Sequence, residues 1–235
     1  MSAGISIVHV DRLDLSFAPK PWPFASERRA EIDAHFAALR RDKPALWNGR
    51  VLLLHSHALA DGVFRGAYLE TDYASFRAWH DWGCPAVGVA DSFSAAAIVT
   101  ADGAFLLAVM GAHTANAGWT YFPCGTPDPG DIVQGKVDLD QSVRRELKEE
   151  TGLAIEAFKA ERGWTTVIAG SLIAHIKLLR AHEDAAGLRR RIHANLASER
   201  QPELADIRIV RGPADFDAAM PDFVTAFLAQ RFAGE

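Results

Sequence analysis

Cysteine is scarce in this chain of 235 residues: Cys84 and Cys124 are the two present. So few thiols, so far apart, give neither a metal-ligand pair nor a disulfide framework, which fits a reducing compartment. Long apolar runs are missing as well. A bilayer-spanning helix takes about 20 consecutive apolar residues, and no stretch comes near that, so no membrane partner is expected. Met1-Ser2-Ala3-Gly4 has no basic start leading into an apolar run. No signal peptide is therefore expected, and the expected location is cytoplasmic. A basic excess is missing too. Lys and Arg number 25 against 30 Asp and Glu, a net charge of −5. Nothing there predicts nucleic-acid binding, which favours a basic face. There is no internal repeat and no low-complexity segment. What is present is an ordinary globular composition, 49% hydrophobic and 23% charged.

Periodicity places the elements. Ile5, Ile7 and Val10, then Leu13, Leu15 and Phe17, alternate as an edge strand or two until Pro19, Pro21 and Pro23 break the pattern. Phe24 to Arg41 carries a helical stripe of Phe24, Ile32, His35, Phe36 and Leu39, with Ser26 as its expected N-cap. Trp47-Asn48-Gly49 is a turn. Strands follow at Arg50 to His55 and Val63 to Leu69, then a short helix from Tyr73 to Trp82. Trp22, Trp47, Trp79 and Trp82 are expected to build a small core in this third. A boundary near Gly83 to Ala90 divides the chain into an extension, 1–87, with a substrate or dimerisation role, and a main domain, 88–235. Beyond it, Ser92 to Thr100, Phe105 to Met110 and Gly118 to Pro123 read as strands, the first two joined by the turn Ala101-Asp102-Gly103. Thr126 to Gly135 reads as a loop. Ile155 to Arg162, Trp164 to Leu179 (interrupted at Gly170) and Asp206 to Val210 read as strands. Asp184 to Ala197 and Pro221 to Phe232 read as helices. The pattern supports a mixed α and β protein.

Between them lies Arg145-Glu146-Leu147-Lys148-Glu149-Glu150-Thr151-Gly152-Leu153. Its three glutamates are spaced i, i+3, i+4, which puts them on one face of a helix. Like charges that close repel, and a hard divalent cation such as Mg²⁺ or Mn²⁺, which wants several oxygen ligands, reverses that penalty. Arg145 precedes Glu149 by one turn and can pair with a carboxylate. Gly152 supplies a left-handed stop, and Asp138 or Asp140 can cap the start. Divalent cations held this way neutralise phosphate oxygens and activate water, so the natural substrate class is a phosphoanhydride.

The stretch resembles the second half of the Nudix box, and every fixed position of that half matches. The resemblance implies an α/β/α sandwich around a mixed β-sheet, here with a small α+β N-terminal extension. It implies metal-dependent hydrolysis of nucleoside diphosphates linked to another moiety. Carried over, Glu146, Glu149 and Glu150 are the metal ligands, and Arg145 orients Glu149. The first half departs from the family. Val137 stands where the box glutamate is expected and Asp131 where its glycine is, while Asp138, one residue off, is the candidate structural carboxylate. Phe122-Pro123-Cys124-Gly125 resembles the family's Phe-Pro-Gly-Gly loop, with a longer run than usual before the helix, an insertion that costs a fold little.

A general base is expected from a later segment, and Glu203, just before the strand at Asp206, is the candidate, with Glu199 as its rival. His113 lies near the expected substrate mouth and can touch phosphate. Trp119 can stack on a base or sugar. His55 and His57 share a strand face but have no third metal ligand nearby. Trp47-Asn48-Gly49, Leu52 to Ser56 and Tyr73 to Phe76 are similar to the N-terminal region of Nudix UDP-sugar hydrolases, which implies cleavage of a UDP-sugar to UMP and a sugar 1-phosphate. ADP-ribose, NADH and CoA derivatives remain open as substrates. Two other readings stand beside hydrolysis. One is a binding or regulatory module that has lost turnover, which Val137 favours and the intact glutamates oppose. The other is a diphosphate-ester isomerase of the same fold. Many Nudix proteins are homodimers, but no patch in the sequence identifies an interface.

Overall fold

The computed structural model describes residues 4–234; Met1 to Ala3, part of the stretch on which the expected lack of a leader was read, lie outside them. In chain order the elements are β1 (Ser6–Val10), β2 (Arg12–Phe17), α1 (Pro23–Glu27), α2 (Arg29–Asp42), β3 (Arg50–Ala60), β4 (Val63–Asp72), α3 (Tyr73–Asp81), β5 (Asp91–Val99) and β6 (Phe105–Met110). Short strands β7 (Thr120–Tyr121), β8 (Cys124–Gly125), β9 (Ile132–Val133) and β10 (Lys136–Val137) lead to α4 (Leu139–Thr151). Then come β11 (Lys159–Ala160), β12 (Trp164–Ala169), β13 (Leu172–Arg180), α5 (Ala185–Leu196), β14 (Leu204–Val210) and α6 (Asp222–Ala233).

These strands make two mixed sheets. The larger has the order β1-β12-β13-β5-β6-β14, with β11, β7 and β8 paired at its flanks; the smaller runs β3-β4-β2-β10-β9. Each contains one parallel pairing, β13 with β5 and β2 with β4, and is otherwise antiparallel. The fold is therefore mixed α/β. β3 shows why its sequence reads Val51-Leu52-Leu53-Leu54 without alternation: a strand covered on both faces is apolar on both. Leu52 and Leu54 join the larger core, whereas Val51 and Leu53 pack with Trp22, Ile32, Phe36 and Trp79 beneath the N-terminal helices. β5 is covered twice as well. Phe93 meets Phe223 of α6 edge-on, with ring centroids 5.6 Å apart. On the opposite face Tyr68 of β4 donates to Ser92 Oγ at 2.9 Å, and Ser92 Oγ in turn lies 3.2 Å from His175 Nε2. This buried polar chain ties the two sheets together. No helix among the described residues is long and apolar enough to cross a membrane.

Several sequence expectations need correction. The helix expected over Phe24 to Arg41 is two, because Arg28 (φ −105, ψ 20) leaves the helical region between α1 and α2. Ser26 lies inside α1 and donates to Pro23 O instead of capping α2. Trp47 is no part of the small core: it is 81% exposed. The strand expected at Ile155 to Arg162 begins as a 3₁₀ turn, Ile155–Ala157, leaving only β11. Gly118 to Pro123 contributes only β7. His55 and His57 do not share a face in register, since the β3 pairing shifts between Leu54 and Ser56. His55 Nε2 lies 3.1 Å from Ala18 O, and His57 stacks on Phe64. Apart from these, β1 pairs along its length with β12 of the larger sheet, so residues on both sides of 87/88 share that sheet.

Candidate active site

Helix α4 is fixed at both ends. Asp138 Oδ1 accepts from Gln141 N at 3.0 Å and so caps the start. Gly152 takes φ +72 at the other end, where a side chain would be strained. Leu139, Val143 and Leu147 are buried in the core, which turns the glutamate face toward β8 and the end of β5. Gly125 of β8 comes so close that a Cβ there would stand 2.3 Å from Glu146 Oε1, so a larger residue would displace the Glu146 carboxylate from this position. Its neighbour Cys124 donates its backbone N–H to Glu150 Oε1 at 3.3 Å.

Arg145 holds the assembly from one side. Its Nη1 donates to Glu146 Oε1 at 2.7 Å and, less closely, to Glu149 Oε2 at 3.4 Å. Its Nη2 donates to Asp131 Oδ2 at 3.0 Å. Asp131 is fully buried and belongs to a 3₁₀ turn, Pro129–Asp131, where its carboxylate also accepts from Asp128 N at 3.1 Å. The structural carboxylate is thus Asp131 and not Asp138, whose side chain is spent on the helix cap. The sequence held a signal for this: Asp128-Pro129-Gly130-Asp131 is a turn motif, and a guanidinium with five donors takes more than one acceptor.

The expected residues Glu146 and Glu203 line one cleft of about 470 Å³. Glu203 arrives there because its carbonyl accepts from Gly111 N at 2.8 Å, joining the start of β14 to the end of β6. His113 packs beside that junction, its ring about 3 Å from the place of a Gly111 Cβ. Trp119 stands at the rim, 45% exposed. Val51, Tyr73, Phe76, Arg77 and His80 supply the opposite wall, which the sequence reading did not assign. Lys43 Nζ reaches the Thr114 carbonyl, and Arg77 Nη1 donates to Asn116 Oδ1 at 3.4 Å, so α2 and α3 are tied to the loop carrying His113. Glu149 lies on the exposed side of the helix and Glu150 on its buried side. Glu199 hydrogen-bonds with Asn195.

The carboxylates disturb one another. Burial pushes Glu146 up to about 7; Arg145 pulls the other way, and Glu149 and Glu203 push further. Glu150 is raised well above the usual carboxylate range by burial, then by Glu146 and Glu203. Glu203 is raised by burial, partly offset by His113, with Glu149 and Glu199 adding repulsion. Burial and these same glutamates raise the Cys124 thiol as well, which disfavours its thiolate form. A cation is the natural complement of such a cluster. The donors are all oxygen, and Glu150 Oε2 is buried without a hydrogen-bond partner, which fits Mg²⁺ or Mn²⁺. No three His, Cys, Asp or Glu side chains among the described residues are gathered round one point.

Comparison with known proteins gives this arrangement a family. A profile of the NUDIX domain matches residues 91–208, from the start of β5 into β14. No curated protein matches the chain. Among solved structures, a Nudix hydrolase from M. smegmatis, RenU, is 17% identical over 61% of this chain and 83% of its own, with a TM-score of 0.40. A C. elegans Ap4A hydrolase is 16% identical over 61% of this chain and 96% of its own, TM-score 0.39. A MutT protein from Methanosarcina mazei Go1 is 17% identical over 60% and 91%, TM-score 0.39. Likeness at these scores says nothing of substrate. The profile covers half of the chain and takes in α4, β8 and the Glu146 and Glu203 side of the cleft, and the chain therefore belongs to the NUDIX domain family and is a pyrophosphohydrolase of a nucleoside diphosphate derivative.

Proposed function

We propose that Glu146, Glu149 and Glu150 hold Mg²⁺ or Mn²⁺ and that the substrate is a UDP-sugar, hydrolysed at its phosphoanhydride to UMP and a sugar 1-phosphate. The observation that carries the metal assignment is the mutual repulsion of buried glutamates on α4, with Glu150 Oε2 left unpartnered. The ions, when bound, neutralise the phosphate oxygens and lower the pKa of the attacking water. The chain's own residues do the rest. Arg145, anchored on Asp131, fixes Glu146. Glu203 takes the proton from water as it attacks phosphorus, and the burial that raises its pKa makes it a stronger base for that step. His113 steadies the charge on Glu203, and Trp119 offers a flat face to the base or sugar at the rim.

Support for a UDP-sugar comes from the N-terminal part. Of the segments that resemble UDP-sugar hydrolases, Tyr73 to Phe76 reaches the cleft through Tyr73 and Phe76, and Asn48 Oδ1 of a second accepts from Ala74 N at 2.7 Å, holding the start of α3. Residues 1–87 thereby act in substrate binding. Both cysteines are free, in keeping with work in the cytoplasm. The test is a panel of UDP-sugars, ADP-ribose, NADH and CoA with Mg²⁺ or Mn²⁺, run beside Glu149→Gln. That change keeps the shape and removes one ligand charge, so the rate should fall at least about 100-fold. Full activity in the variant would show that α4 is not the metal site, and preference for another substrate would remove the UDP-sugar.

A further inference from the structure

On β5, Asp91 and Phe93 project to the same side, as residues two apart on a strand do. Both line the cleft, together with Phe223 of α6 and Thr126. Asp91 Oδ1 is shielded from water and has no hydrogen-bond partner among the described residues. Burial pushes this carboxyl up to about 7, against the influence of the Thr126 hydroxyl. Nothing in the metal assignment or in the water-activating step uses it. Ser94 pairs with Gly125, which abuts Glu146, so three residues of strand separate Asp91 from that level. At 3.3 Å per residue that is about 10 Å. On the hydrolase reading the phosphates lie at the α4 glutamates, and Asp91, further along β5 and reaching Thr126, faces the group they carry. Buried acceptors in folded proteins nearly always have donors, so one left free in a ligand cleft is matched by the ligand.

We propose that Asp91 reads the organic group attached to the diphosphate, its Oδ1 accepting a hydrogen bond from a hydroxyl or ring N–H while Phe93 and Phe223 cover the apolar face of that group. The inference rests on the hydrolase reading of the cleft. A site built to accept such a donor discriminates strongly against analogues that lack it.

The test uses Asp91→Leu, close in size and without an acceptor, and Asp91→Asn, which keeps one. Asp91→Leu should raise KM for UDP-glucose about tenfold or more with kcat within about twofold, and Asp91→Asn should fall between it and the wild type. Two sets of analogues locate the donor: UDP-glucose methylated at uracil N3, and UDP-sugars lacking one sugar hydroxyl each. The analogue without the donor should bind wild type and Asp91→Leu alike. An unchanged KM, a loss in kcat alone, or an equal penalty for every analogue overturns the assignment. If the wild type hydrolyses no member of the panel, the hydrolase reading fails, and calorimetric binding of the same nucleotides decides on Asp91. Binding that weakens about tenfold in Asp91→Leu keeps it; equal binding, or none to the wild type, overturns it.

Discussion

Asp131 and Arg145 stand fourteen residues apart in sequence and meet through a 3.0 Å hydrogen bond, with the aspartate fully buried and the arginine 29% exposed. Removing one partner of a buried pair costs about 3–5 kcal/mol. Arg145 keeps some solvent and its bond to Glu146, so about 2 kcal/mol is expected for Asp131→Ala. The same change frees the guanidinium that fixes Glu146, and losing such a supporting contact lowers activity about 10–100-fold. Urea unfolding and steady-state kinetics check the two effects separately. Asp131→Asn, which retains an acceptor, should recover most of the stability. A variant with both properties intact would leave Asp131 without a role. At this scale the sequence placed Arg145, Glu146, Glu149 and Glu150 on one helix, with Arg145 able to reach the carboxylates, because helical spacing is rigid. Asp131 was missed there, because its signal is the turn motif Asp128-Pro129-Gly130-Asp131 and not its distance from Arg145. Counting residues back from Arg145 assumes a loop of fixed length, and here the partner arrives on a 3₁₀ turn whose place no count predicts.

Among the elements, α4 was the most legible, since its stop and its buried stripe are written locally. Gly152→Ala tests the stop. The methyl group would sit at φ +72 and 2.2 Å from the Asn195 side chain of α5, which itself donates to Glu199. Left-handed backbone costs a non-glycine residue about 1–2 kcal/mol, and displacing Asn195 adds to it. A fall of a few degrees in Tm is expected, read by differential scanning calorimetry. Alanine as stable as glycine would mean that the end of α4 is not held as described. Asp138→Ala, at the opposite end, should cost about 1 kcal/mol through the lost cap. The break between α1 and α2 was hidden for the converse reason. The apolar stripe continues through Arg28, and what interrupts the helix is tertiary: Arg28 lies over the Trp82 ring, 4.0 Å from its centroid, while Trp22 and Phe24 stack at 4.9 Å.

At the scale of the whole molecule, alternation along single strands hides how the halves are joined. β1 and β2 are neighbours in sequence yet enter different sheets, and Leu15, Leu52, Leu54, Phe64 and Tyr68 from the first third share one core with β5, α4 and α6. A boundary drawn from composition near residue 87 cuts through that core. Each such buried side chain contributes about 1.5–3 kcal/mol, so losing these five from the shared core removes about 7.5–15 kcal/mol, as much as the 5–15 kcal/mol by which a domain is usually stable. Residues 88–235 expressed alone should therefore show no cooperative unfolding transition, whereas the full chain should unfold once, with tryptophan fluorescence and far-ultraviolet circular dichroism coinciding in urea. The two probes are independent enough to decide. Trp22 and Trp79 sit in the N-terminal cluster and Trp164 in the shared core, whereas circular dichroism reports on both sheets and all the helices. A stable, cooperatively folding 88–235 fragment, or two separated transitions in the full chain, would show that the N-terminal part is an appendage; a single transition would make it the wall without which neither the core nor the cleft is complete.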